Sequence, residues 1–558
     1  MYKYDKYRIT DIPNTMEEIC FPKDNKYKLL PQQQFLAEYL YDNRNDLNSL
    51  GILVYHEIGS GKTCTAINIA EKFKKDLKII VVLPASLIGN FRNELRSRCA
   101  DNIYINETNR NKLSKLKPND EEYIKIIDES DNLINKIYNI YSYHKFVKDI
   151  PRGLIDLKDT LLIIDEVQNM VSMKGTFYKS LNEIINKSVK GTKIVLLSAT
   201  PMFDTPNEIA LTLNLLRPKY LFPIGVNFET VFLEKYGNYY TATNLDLFKK
   251  MSNGLISYYR GDLPISYPKQ NLKIVKCKMS EHQLNNYIIA KKKELGEKKK
   301  FKSSLNFPKN FLLGTRVVSN ISFPNHLSGY DGYESLSSDI QNMKYYSCKF
   351  IKILDLINKS DGPVFIYSTF LKYGGLKSLT DYLDYLGYVN FKNIKDKNNK
   401  KVYAIYSGDE TLEEREIIKK IYNDYNNRNG DMIKILLGSP SIKEGISLLR
   451  VNQVHVLEPH WNLSRIKQII GRAIRFCSHK DLPENKRYVD VYIYLATHPS
   501  LKQSVDEYVW YIAKKKYVLI NTFQTALKEV AIDCDLFKKR NNLPTDNYNI
   551  KCQYDIMI

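Results

Sequence analysis

Eight short apolar runs, bounded by polar residues, glycine or proline, constrain the fold of this 558-residue chain more than any other feature. In chain order they read GILVY, IIVVL, LLIID and IVLLS, then VFIY, ILLG, VHVL and VYIYLA. Longer amphipathic stretches rich in lysine and glutamate separate them. Continuous apolar strands with helical connections are typical of parallel sheets that are covered on both faces. The runs fall into two groups, near residues 45–200 and 363–496, and so predict two α/β domains in tandem.

The segments outside the two groups have a different character. The stretch between the groups contains KKKELGEKKK and few strand signals, which indicates a connector with a helical insertion. Its lysine run is interpreted as a solvated helix face or mobile loop, with a phosphate-contacting arm as the alternative. The chain beyond about residue 500 is expected to be mostly helical. The expected parts are an N-terminal extension (1–27), a first domain (28–262), the connector and insertion (263–343), a second domain (344–500) and a helical C-terminal tail (501–558).

The net charge and the cysteine spacing indicate which partners and which cellular compartment suit the chain. Its formal net charge of +21 favours a polyanionic partner, nucleic acid first and a membrane surface second, although a lysine-rich composition also reflects an AT-rich genome. Eight cysteines without a CxxC pair indicate free thiols in a reducing compartment, with neither a zinc site nor a disulfide framework. The N-terminus has no apolar signal core, and no apolar run reaches the roughly 18 residues of a membrane span. We therefore expect a soluble intracellular protein with no membrane partner.

A glycine-rich loop follows the first apolar run. GILVY, HEIGSGK and TCTAINIAEKF predict a strand, a loop and a helix in that order. Glycines permit backbone angles at which successive N–H groups turn onto phosphate oxygens, beside the positive end of the helix. Lys62 would bridge the β- and γ-phosphates of ATP, and the Thr63 hydroxyl would ligate Mg²⁺. The predicted nucleotide-binding residues of this loop are Gly59, Ser60, Gly61, Lys62 and Thr63.

An acidic pair ends another buried run, in TLLIIDEVQNM. Asp165 would hold Mg²⁺, directly or through water, and Glu166 would polarise the attacking water. An Asp-Glu pair after a strand can also be a helix N-cap. The joint occurrence of the loop and the acidic pair favours the nucleotide site.

The second group of runs contributes an arginine-bearing helix, HWNLSRIKQIIGRAIRFCSH. Gln468, Arg472 and Arg475 lie at i, i+4 and i+7, which places them on one helix face. An ordinary salt-bridged surface is the alternative. The apolar residues between them indicate a packed helix whose arginines stabilise the γ-phosphate charge from the other domain.

A tight loop is predicted after the strand ILLG, in GSPSIKEGISL. We expect Glu444 and Gly445 at the domain interface, where they could sense both the nucleotide and a nucleic-acid backbone.

Taken in order, LPQQQ, HEIGSGKT, LPASLIGNFRNEL, DEVQ, SATPM, SPSIKEG and QIIGRAIR form a set that resembles the superfamily 2 helicases and translocating ATPases. LPASLIGNFRNEL and SATPM are most similar to the chromatin-remodelling branch. SATPMFDTPNEIALTLNLLRP, GLISYYRG, RVVSNISFP, GPVFIYSTFLKYGGL and VHVLEPHWNLSRIKQIIGRAIRFCSH resemble the ATPases of large cytoplasmic DNA viruses. That group includes poxvirus nucleoside triphosphate phosphohydrolase I and the small subunit of the early transcription factor. The resemblance covers approximately residues 28–535.

The resemblance implies two RecA-like parallel-sheet lobes with ATP in the cleft between them and nucleic acid crossing both. It implies that Gln33 reads the adenine edge and that Ser198, Ala199 and Thr200 couple the nucleotide state to the nucleic-acid path. It also implies a role in viral transcription or, less specifically, in DNA or RNA unwinding. The implied location is the host cytoplasm or the virion, with a viral RNA polymerase or transcription-factor subunit as a further partner.

Three residues depart from the family pattern. Gln168 stands where many relatives have histidine, and Phe91 where remodellers have tryptophan. His56 replaces the glycine or alanine that usually opens the phosphate loop. None of the three removes a catalytic group, although Gln168 could alter how hydrolysis is coupled to strand movement.

These features support a hypothesis of ATP-driven movement along DNA or RNA. ATP would clamp the lobes because Lys62 and Arg475 both need its γ-phosphate, and hydrolysis would open the cleft. Successive cycles would step the protein along a phosphate backbone held by sequence-independent contacts. The alternative is a transcription-factor or termination subunit that remodels polymerase complexes without unwinding a duplex.

Overall fold

The computed structural model describes most of the chain, and the account below refers to that part. The described residues are 3–21, 27–45, 50–117, 120–172, 175–187, 191–217, 221–237, 239–295, 310–394, 401–440, 446–543, 546 and 548–553.

The first lobe contains a parallel sheet of six strands in the order β3-β2-β4-β5-β1-β8. A separate antiparallel hairpin, β6–β7, lies outside this sheet. The strands are β1 (Gly51–His56), β2 (Lys78–Leu83), β3 (Tyr138–Ser142), β4 (Thr160–Ile164), β5 (Lys193–Ser198), β6 (Leu233–Tyr236), β7 (Tyr239–Ala242) and β8 (Ile256–Tyr259).

The second lobe contains a parallel sheet of seven strands in the order β11-β12-β13-β10-β14-β15-β9. Its edge strand β9 lies within the stretch that the sequence indicated as a connector. The strands are β9 (Lys269–Lys278), β10 (Val364–Tyr367), β11 (Val389–Asn390), β12 (Val402–Tyr406), β13 (Ile435–Gly438), β14 (Gln453–Val456) and β15 (Tyr488–Thr497).

Helices surround both sheets. Those of the first lobe and its N-terminal extension are α1 (Met16–Cys20), α2 (Pro31–Asp42), α3 (Lys62–Phe73), α4 (Ile88–Leu95), α5 (Glu107–Leu113), α6 (Glu121–Asn135), α7 (Tyr143–Asp149), α8 (Thr176–Lys187), α9 (Asn207–Asn214), α10 (Val226–Phe232) and α11 (Leu245–Ser252). The remaining helices are α12 (Glu281–Leu295), α13 (Leu313–Asn320), α14 (Gly329–Glu334), α15 (Met343–Tyr346), α16 (Cys348–Ile357), α17 (Leu376–Tyr385), α18 (Leu412–Tyr422), α19 (Leu463–Ala473), α20 (Val505–Glu529) and α21 (Lys538–Asn541).

The apolar runs form strands because both faces of each sheet are covered. In β1, Leu53 and Tyr55 pack into one hydrophobic cluster while Ile52 and Val54 pack into another on the opposite face. Successive side chains of a strand point to opposite faces, so a strand buried on both sides is apolar along most of its length. All eight runs lie in parallel strands. The predicted fold of two tandem parallel-sheet domains is therefore confirmed.

The C-terminal helix α20 joins the lobes rather than extending away from them. It spans 25 residues, or about 37 Å, and begins with a capping box between Ser504 and Glu507. Its first turns pack in the second lobe, where the buried pair Asp506–Lys349 lies at 2.7 Å. Its last turns, including Phe523, enter the core of the first lobe. Within the described residues, every helix is too short or too polar to reach across a lipid bilayer.

The segment after α20 covers the open edge of the first sheet. Ile532 donates its backbone N–H to the Ile256 carbonyl at 2.8 Å, beside the edge strand β8. Asn541 accepts the Arg260 N–H at 2.9 Å. An unpaired sheet edge invites non-specific strand pairing, and this segment occupies it.

The prediction of eight free cysteines is wrong for six of them. Disulfides join Cys20 to Cys477, Cys64 to Cys99 and Cys534 to Cys552, with Cα–Cα distances of 5.6–5.7 Å. Cys277 and Cys348 are free. The partners are 18 to 457 residues apart in sequence. Folding, and not local CxxC spacing, brings them together, so the spacing of the cysteines could not reveal the pairs.

Candidate active site

The glycine-rich loop lies between β1 and α3, as the sequence predicted. Gly59 and Gly61 have φ values of +81° and +71°, which residues with side chains rarely adopt. A Cβ at Gly59 would also lie 1.7 Å from a carboxylate oxygen of Asp262. Both glycines are therefore required by the shape of the loop.

Lys62, the first residue of α3, lies among carboxylates. Its ammonium donates to the Glu57 carbonyl at 3.3 Å. Burial lowers the pKa of Lys62, while the negative charges of Glu166, Asp165, Glu57 and Asp262 oppose that shift. The fold thus brings the lysine of the loop beside the acidic pair that ends β4, about a hundred residues further along the chain.

The acidic pair occupies a constrained turn. Asp165 is buried and accepts the Glu166 N–H at 2.9 Å. Burial, together with the charge of Glu166, raises the pKa of Asp165 to about 6, and Lys62 opposes this. Glu166 has a left-handed backbone with φ of +49°, which is uncommon for a residue with a side chain. A strained turn that carries two carboxylates is typical of a functional site.

A chain of hydrogen bonds leads from Glu166 to the end of β5. The Gln168 amide donates to the Glu166 carboxylate at 2.5 Å. The Ser198 hydroxyl donates to the Gln168 amide oxygen at 2.7 Å and accepts the Thr200 N–H at 3.0 Å. Ala199 lies between these two residues in sequence. The predicted coupling segment is thus connected to the predicted water-activating carboxylate.

Two glutamines of α2 contact the phosphate loop. Gln33 donates to the Gly61 carbonyl at 3.3 Å and accepts the Leu30 N–H at 2.8 Å. Gln32, which the sequence analysis missed, donates to the Ser60 carbonyl at 3.0 Å. The run of three glutamines was visible in the sequence, but which of them face the loop depends on how α2 packs.

In the second lobe, α19 carries Gln468 and Arg472, and both side chains are partly buried. The prediction that Arg475 continues this helix face is wrong, because α19 ends at Ala473 and Ile474 has extended backbone angles. Arg475 lies in the turn that follows, where its guanidinium donates to the Ile446 carbonyl at 3.4 Å. Its buried Nε has no hydrogen-bond partner among the described residues.

A short path leads from Arg475 toward the phosphate loop. Burial lowers the pKa of Arg475, and the nearby Tyr267 opposes that shift. The Tyr267 hydroxyl donates to Asp262 at 2.8 Å. Asp262 in turn lies against Gly59. The arginine of the second lobe therefore faces the loop of the first through two intervening side chains.

Direct contacts also connect the lobes beside this path. Asn462, which caps the N-terminus of α19, donates its side-chain amide to the Phe203 carbonyl at 2.6 Å. Phe203 directly follows the SATPM stretch of the first lobe. Lys516 on α20 pairs with Asp204 at 2.7 Å. The segment after β5 is thus held by both α19 and α20.

Three predicted site residues remain, namely Thr63, Glu444 and Gly445. Glu444 and Gly445 lie outside the described residues. Thr63 lies in the first turn of α3, next to Lys62. The hydroxyl of Thr63 and the carboxylates of Asp165 and Glu166 are hard oxygen donors of the kind that Mg²⁺ prefers, so the residues present fit that ion.

Sequence reasoning missed the supports of the loop that lie far away in the chain. Lys528, on α20, pairs with Glu57 at 3.0 Å, and Glu57 also accepts the Tyr258 hydroxyl at 2.7 Å. No local pattern connects residues 57 and 528. The sequence showed the specific loop motif, but it did not show the side chains that hold the loop in place.

Comparison with known proteins gives two family matches. A model described as the SNF2-related domain matches residues 32–320, and a model described as the helicase conserved C-terminal domain matches residues 348–477. The first covers the loop, the acidic pair and SATPM, and the second covers α19 and Arg475.

Individual relatives agree with these matches. The chain is 46% identical to protein R563 of Acanthamoeba polyphaga mimivirus, named as an inferred ATP-dependent RNA helicase, over 99% of this chain and 96% of that one. It is 27% identical to nucleoside triphosphatase I of Heliothis armigera entomopoxvirus, over 94% of this chain and 82% of that one. Among solved structures, the Hef helicase domain of Pyrococcus furiosus aligns with a TM-score of 0.44 and 14% identity, over 85% of this chain and 97% of that one.

Proposed function

Because the chain belongs to the SNF2-related helicases and nucleoside triphosphatases of viruses, and is an ATP hydrolase, we propose that it moves along nucleic acid as a translocase or helicase in viral transcription. One observation carries the proposal. A series of contacts runs from the carboxylate of Glu166 through Gln168 and Ser198 to the segment whose Phe203 carbonyl meets the cap of α19. A change at the γ-phosphate therefore has a physical route to the second lobe.

The first lobe binds the triphosphate in this proposal. The N–H groups of the loop and the Lys62 ammonium hold the β- and γ-phosphates, and Gln33 holds the adenine. Thr63 and Asp165 would hold Mg²⁺, which when bound neutralises phosphate charge and orients the γ-phosphate for in-line attack.

The hydrolytic step divides between the lobes. Glu166 orients the attacking water and accepts a hydrogen bond from it. The Gln168 amide donates to one Glu166 carboxylate oxygen and holds that oxygen in place. Arg475 offers its Nε and remaining N–H groups to the charge that develops on the γ-phosphate. Arg472 and Gln468 extend the same surface of the second lobe.

Movement follows from the shared ligand. With ATP bound, Lys62 and Arg475 are held together by one γ-phosphate, and once it is cleaved that link is lost. Ser198 and Thr200 then transmit the change to the nucleic-acid path. The net charge of +21 favours sequence-independent contacts to a phosphate backbone, of either DNA or RNA.

The test is ATP turnover of the full chain with and without single-stranded DNA, duplex DNA and RNA. We expect polynucleotide to raise turnover of the wild type. Lys62→Ala should lose roughly 10²–10³-fold of turnover under all conditions, since one preorganised charge is removed. Equal wild-type turnover with and without every polynucleotide would refute the proposal.

A second candidate is a transcription-factor or termination subunit that remodels polymerase complexes without unwinding. It is favoured by one observation, namely that the strands described in the second lobe pair only in parallel, so no strand-separating hairpin occurs among them. A strand-displacement assay on a tailed duplex decides between the two. Stimulated turnover without displacement, with viral RNA polymerase subunits co-purifying, would support the second candidate.

A further inference from the structure

The end of β1 is connected to the C-terminal segment by a buried relay of three side chains. His56, the last residue of β1, is fully buried, and its Nε2 lies 2.8 Å from the Ser257 hydroxyl on β8. Ser257 donates its hydroxyl to one carboxylate oxygen of Asp533. The other oxygen accepts the Tyr258 N–H at 2.8 Å. Asp533 is also fully buried, just beyond the end of α20.

The relay determines which nitrogen of His56 carries a proton. Burial raises the pKa of Asp533 to about 7, so above that pH it is a carboxylate, which only accepts, and Ser257 must donate its single hydrogen to it. Ser257 can then only accept from His56, and Nε2 must therefore be the protonated nitrogen. Burial and the positive charge of Lys62 lower the pKa of His56 well below its usual value, so the ring is neutral. Nδ1 is left as a bare acceptor.

That acceptor has no partner in this structure. His56 Nδ1 is buried without a hydrogen bond among the described residues, and so is the hydroxyl of Ser60 in the adjoining loop. A buried polar atom left unpaired is destabilising, and such atoms are few in folded proteins. Two of them at one phosphate loop, an acceptor and a hydroxyl that can donate, indicate a loop whose hydrogen bonds are completed in another state.

We propose that Asp533 is a positioning residue for ATP binding. Through Ser257 it fixes His56 with Nδ1 unprotonated, so that this nitrogen accepts a hydrogen bond from the loop of residues 57–61 when that loop closes on a triphosphate. A glycine or alanine at position 56 could not do so, because neither has a side-chain acceptor. The inference concerns ATP hydrolysis alone and does not depend on whether the protein moves along nucleic acid.

The proton position is measured directly by ¹⁵N NMR of the histidine-labelled full chain at pH 8. The His56 signal is assigned by its absence from His56→Ala. We expect the wild type to show the Nε2–H tautomer. Asp533→Asn should reverse the relay, because its amide donates to Ser257, whose hydroxyl must then donate to Nε2, and the proton moves to Nδ1. An Nδ1–H or doubly protonated ring in the wild type, or an unchanged tautomer in Asp533→Asn, would overturn the proposal.

Steady-state kinetics test the consequence. Asp533→Asn should raise the KM for ATP about threefold to tenfold, the worth of one hydrogen bond, with kcat within about twofold. In a His56→Ala background the same substitution should change KM by less than about twofold, since the acceptor is already gone. An equal rise in both backgrounds would mean that Asp533 acts through the fold alone and would refute the inference.

A second variant distinguishes loss of the relay from misfolding of the protein. Ser257→Ala breaks the relay but leaves the contact between Asp533 and the Tyr258 N–H intact. It should raise KM like Asp533→Asn, again only when His56 is present. As a matched comparison, Lys528→Gln removes a different support of the loop and should leave the His56 tautomer unchanged. If Ser257→Ala folds and binds ATP as the wild type does, the proposal is wrong whatever Asp533→Asn does.

Discussion

At the scale of single residues, Gln168 bridges the two groups, Glu166 and Ser198, to which the proposed function assigns the coupling of hydrolysis to movement. Its amide N–H binds Glu166 and its amide oxygen binds Ser198. The resemblance to helicases leads one to expect histidine here, whose ring also offers one donor and one acceptor. Glutamine at position 168 therefore still joins Glu166 to Ser198, but with a side chain of a different shape.

Gln168→Ala should uncouple the two groups. We expect stimulation of ATP turnover by polynucleotide to fall about tenfold, which corresponds to about 1.4 kcal/mol of lost coupling. Gln168→His, the matched control, should keep at least half of the stimulation because it can still bridge. The measurement is the ratio of turnover with and without polynucleotide. A wild-type ratio in Gln168→Ala would show that the bridge transmits nothing.

The raised pKa of Asp533 predicts a pH dependence of the folded chain's stability. Burial raises its pKa to about 7 from 3.8. Between those values Asp533 holds a proton in the folded chain that it has released in the unfolded chain, so its contribution to the free energy of unfolding falls as pH rises from about 4 to about 7. His56, which faces Asp533 through Ser257, stays neutral in the folded chain, whereas the unfolded chain protonates it below its ordinary pKa of 6.5, so its contribution to stability rises with pH and opposes that of Asp533. Because His56 is present in both proteins, comparison with Asp533→Asn isolates the contribution of Asp533.

Asp533→Asn cannot ionise and should lack this term. Across that window the wild type should lose up to about 4 kcal/mol relative to the variant, since each pKa unit is worth about 1.4 kcal/mol. Urea denaturation of both proteins at pH 4.5 and pH 8 measures the difference. A gap between the two proteins that is the same at both pH values would contradict the raised pKa.

The residues that the sequence identified are those that belong to local patterns. A loop between a strand and a helix, or two carboxylates that end an apolar run, can be read from adjacent letters. Glu57 and Lys528 meet across 471 residues. His56 meets Asp533 through Ser257, which lies 201 residues from His56 and 276 from Asp533. Spacing carries no information about such contacts, because they depend on how whole elements pack.

At the scale of elements, the N-terminus of α19 combines a cap and a contact between lobes in one side chain. The Asn462 side-chain oxygen accepts the Ser464 N–H at 2.8 Å and the Arg465 N–H at 3.4 Å. Its amide nitrogen donates to Phe203 of the other lobe. The two roles use different atoms and can be separated by substitution.

Asn462→Asp keeps the capping oxygen but loses the donor to Phe203. We expect stability within about 0.5 kcal/mol of the wild type, with stimulated ATP turnover reduced several-fold. Asn462→Ala, the control, should lose stimulation and also about 1 kcal/mol of stability. Thermal unfolding and turnover are measured on the same samples. Wild-type stimulation in Asn462→Asp would remove the Phe203 contact from the coupling path.

The elements that the sequence missed share a physical cause. The residues of β9 are mostly exposed, so its letters, KQNLKIVKCK, do not form an apolar run. It is nevertheless a strand because it pairs along ten residues with β15 at the edge of the second sheet. Likewise, α19 ends at Ala473 and Ile474 has extended backbone angles, while the i+7 spacing of the sequence continues across that point.

At the scale of the whole molecule, the C-terminal tail completes the first lobe. From the sequence, the chain beyond about residue 500 is expected to be mostly helical, and the structure has a helix at Val505–Glu529. The sequence could not say that this helix starts against the second lobe and ends in the core of the first. The consequence is that the two lobes are connected twice, through the chain near residues 260–269 and through α20.

This architecture predicts that a core substitution in the tail destabilises the ATP-binding lobe. Phe523 is fully buried, with ring centroids 5.0 Å from Phe248 and 5.8 Å from Phe228. Phe523→Ala should cost about 3–5 kcal/mol, because it removes a large apolar side chain and leaves a cavity.

Val518→Ala is the matched control, because Val518 lies on the same helix with 63% of its surface exposed. It should change stability by less than about 0.5 kcal/mol. Thermal unfolding, monitored by the loss of bound ATP, reports on the first lobe directly. Phe523→Ala should lower the midpoint of thermal unfolding by about 10 °C and release ATP at that lower temperature. If both variants unfold and lose ATP together with the wild type, the tail is an appendage and α20 does not join the lobes in solution.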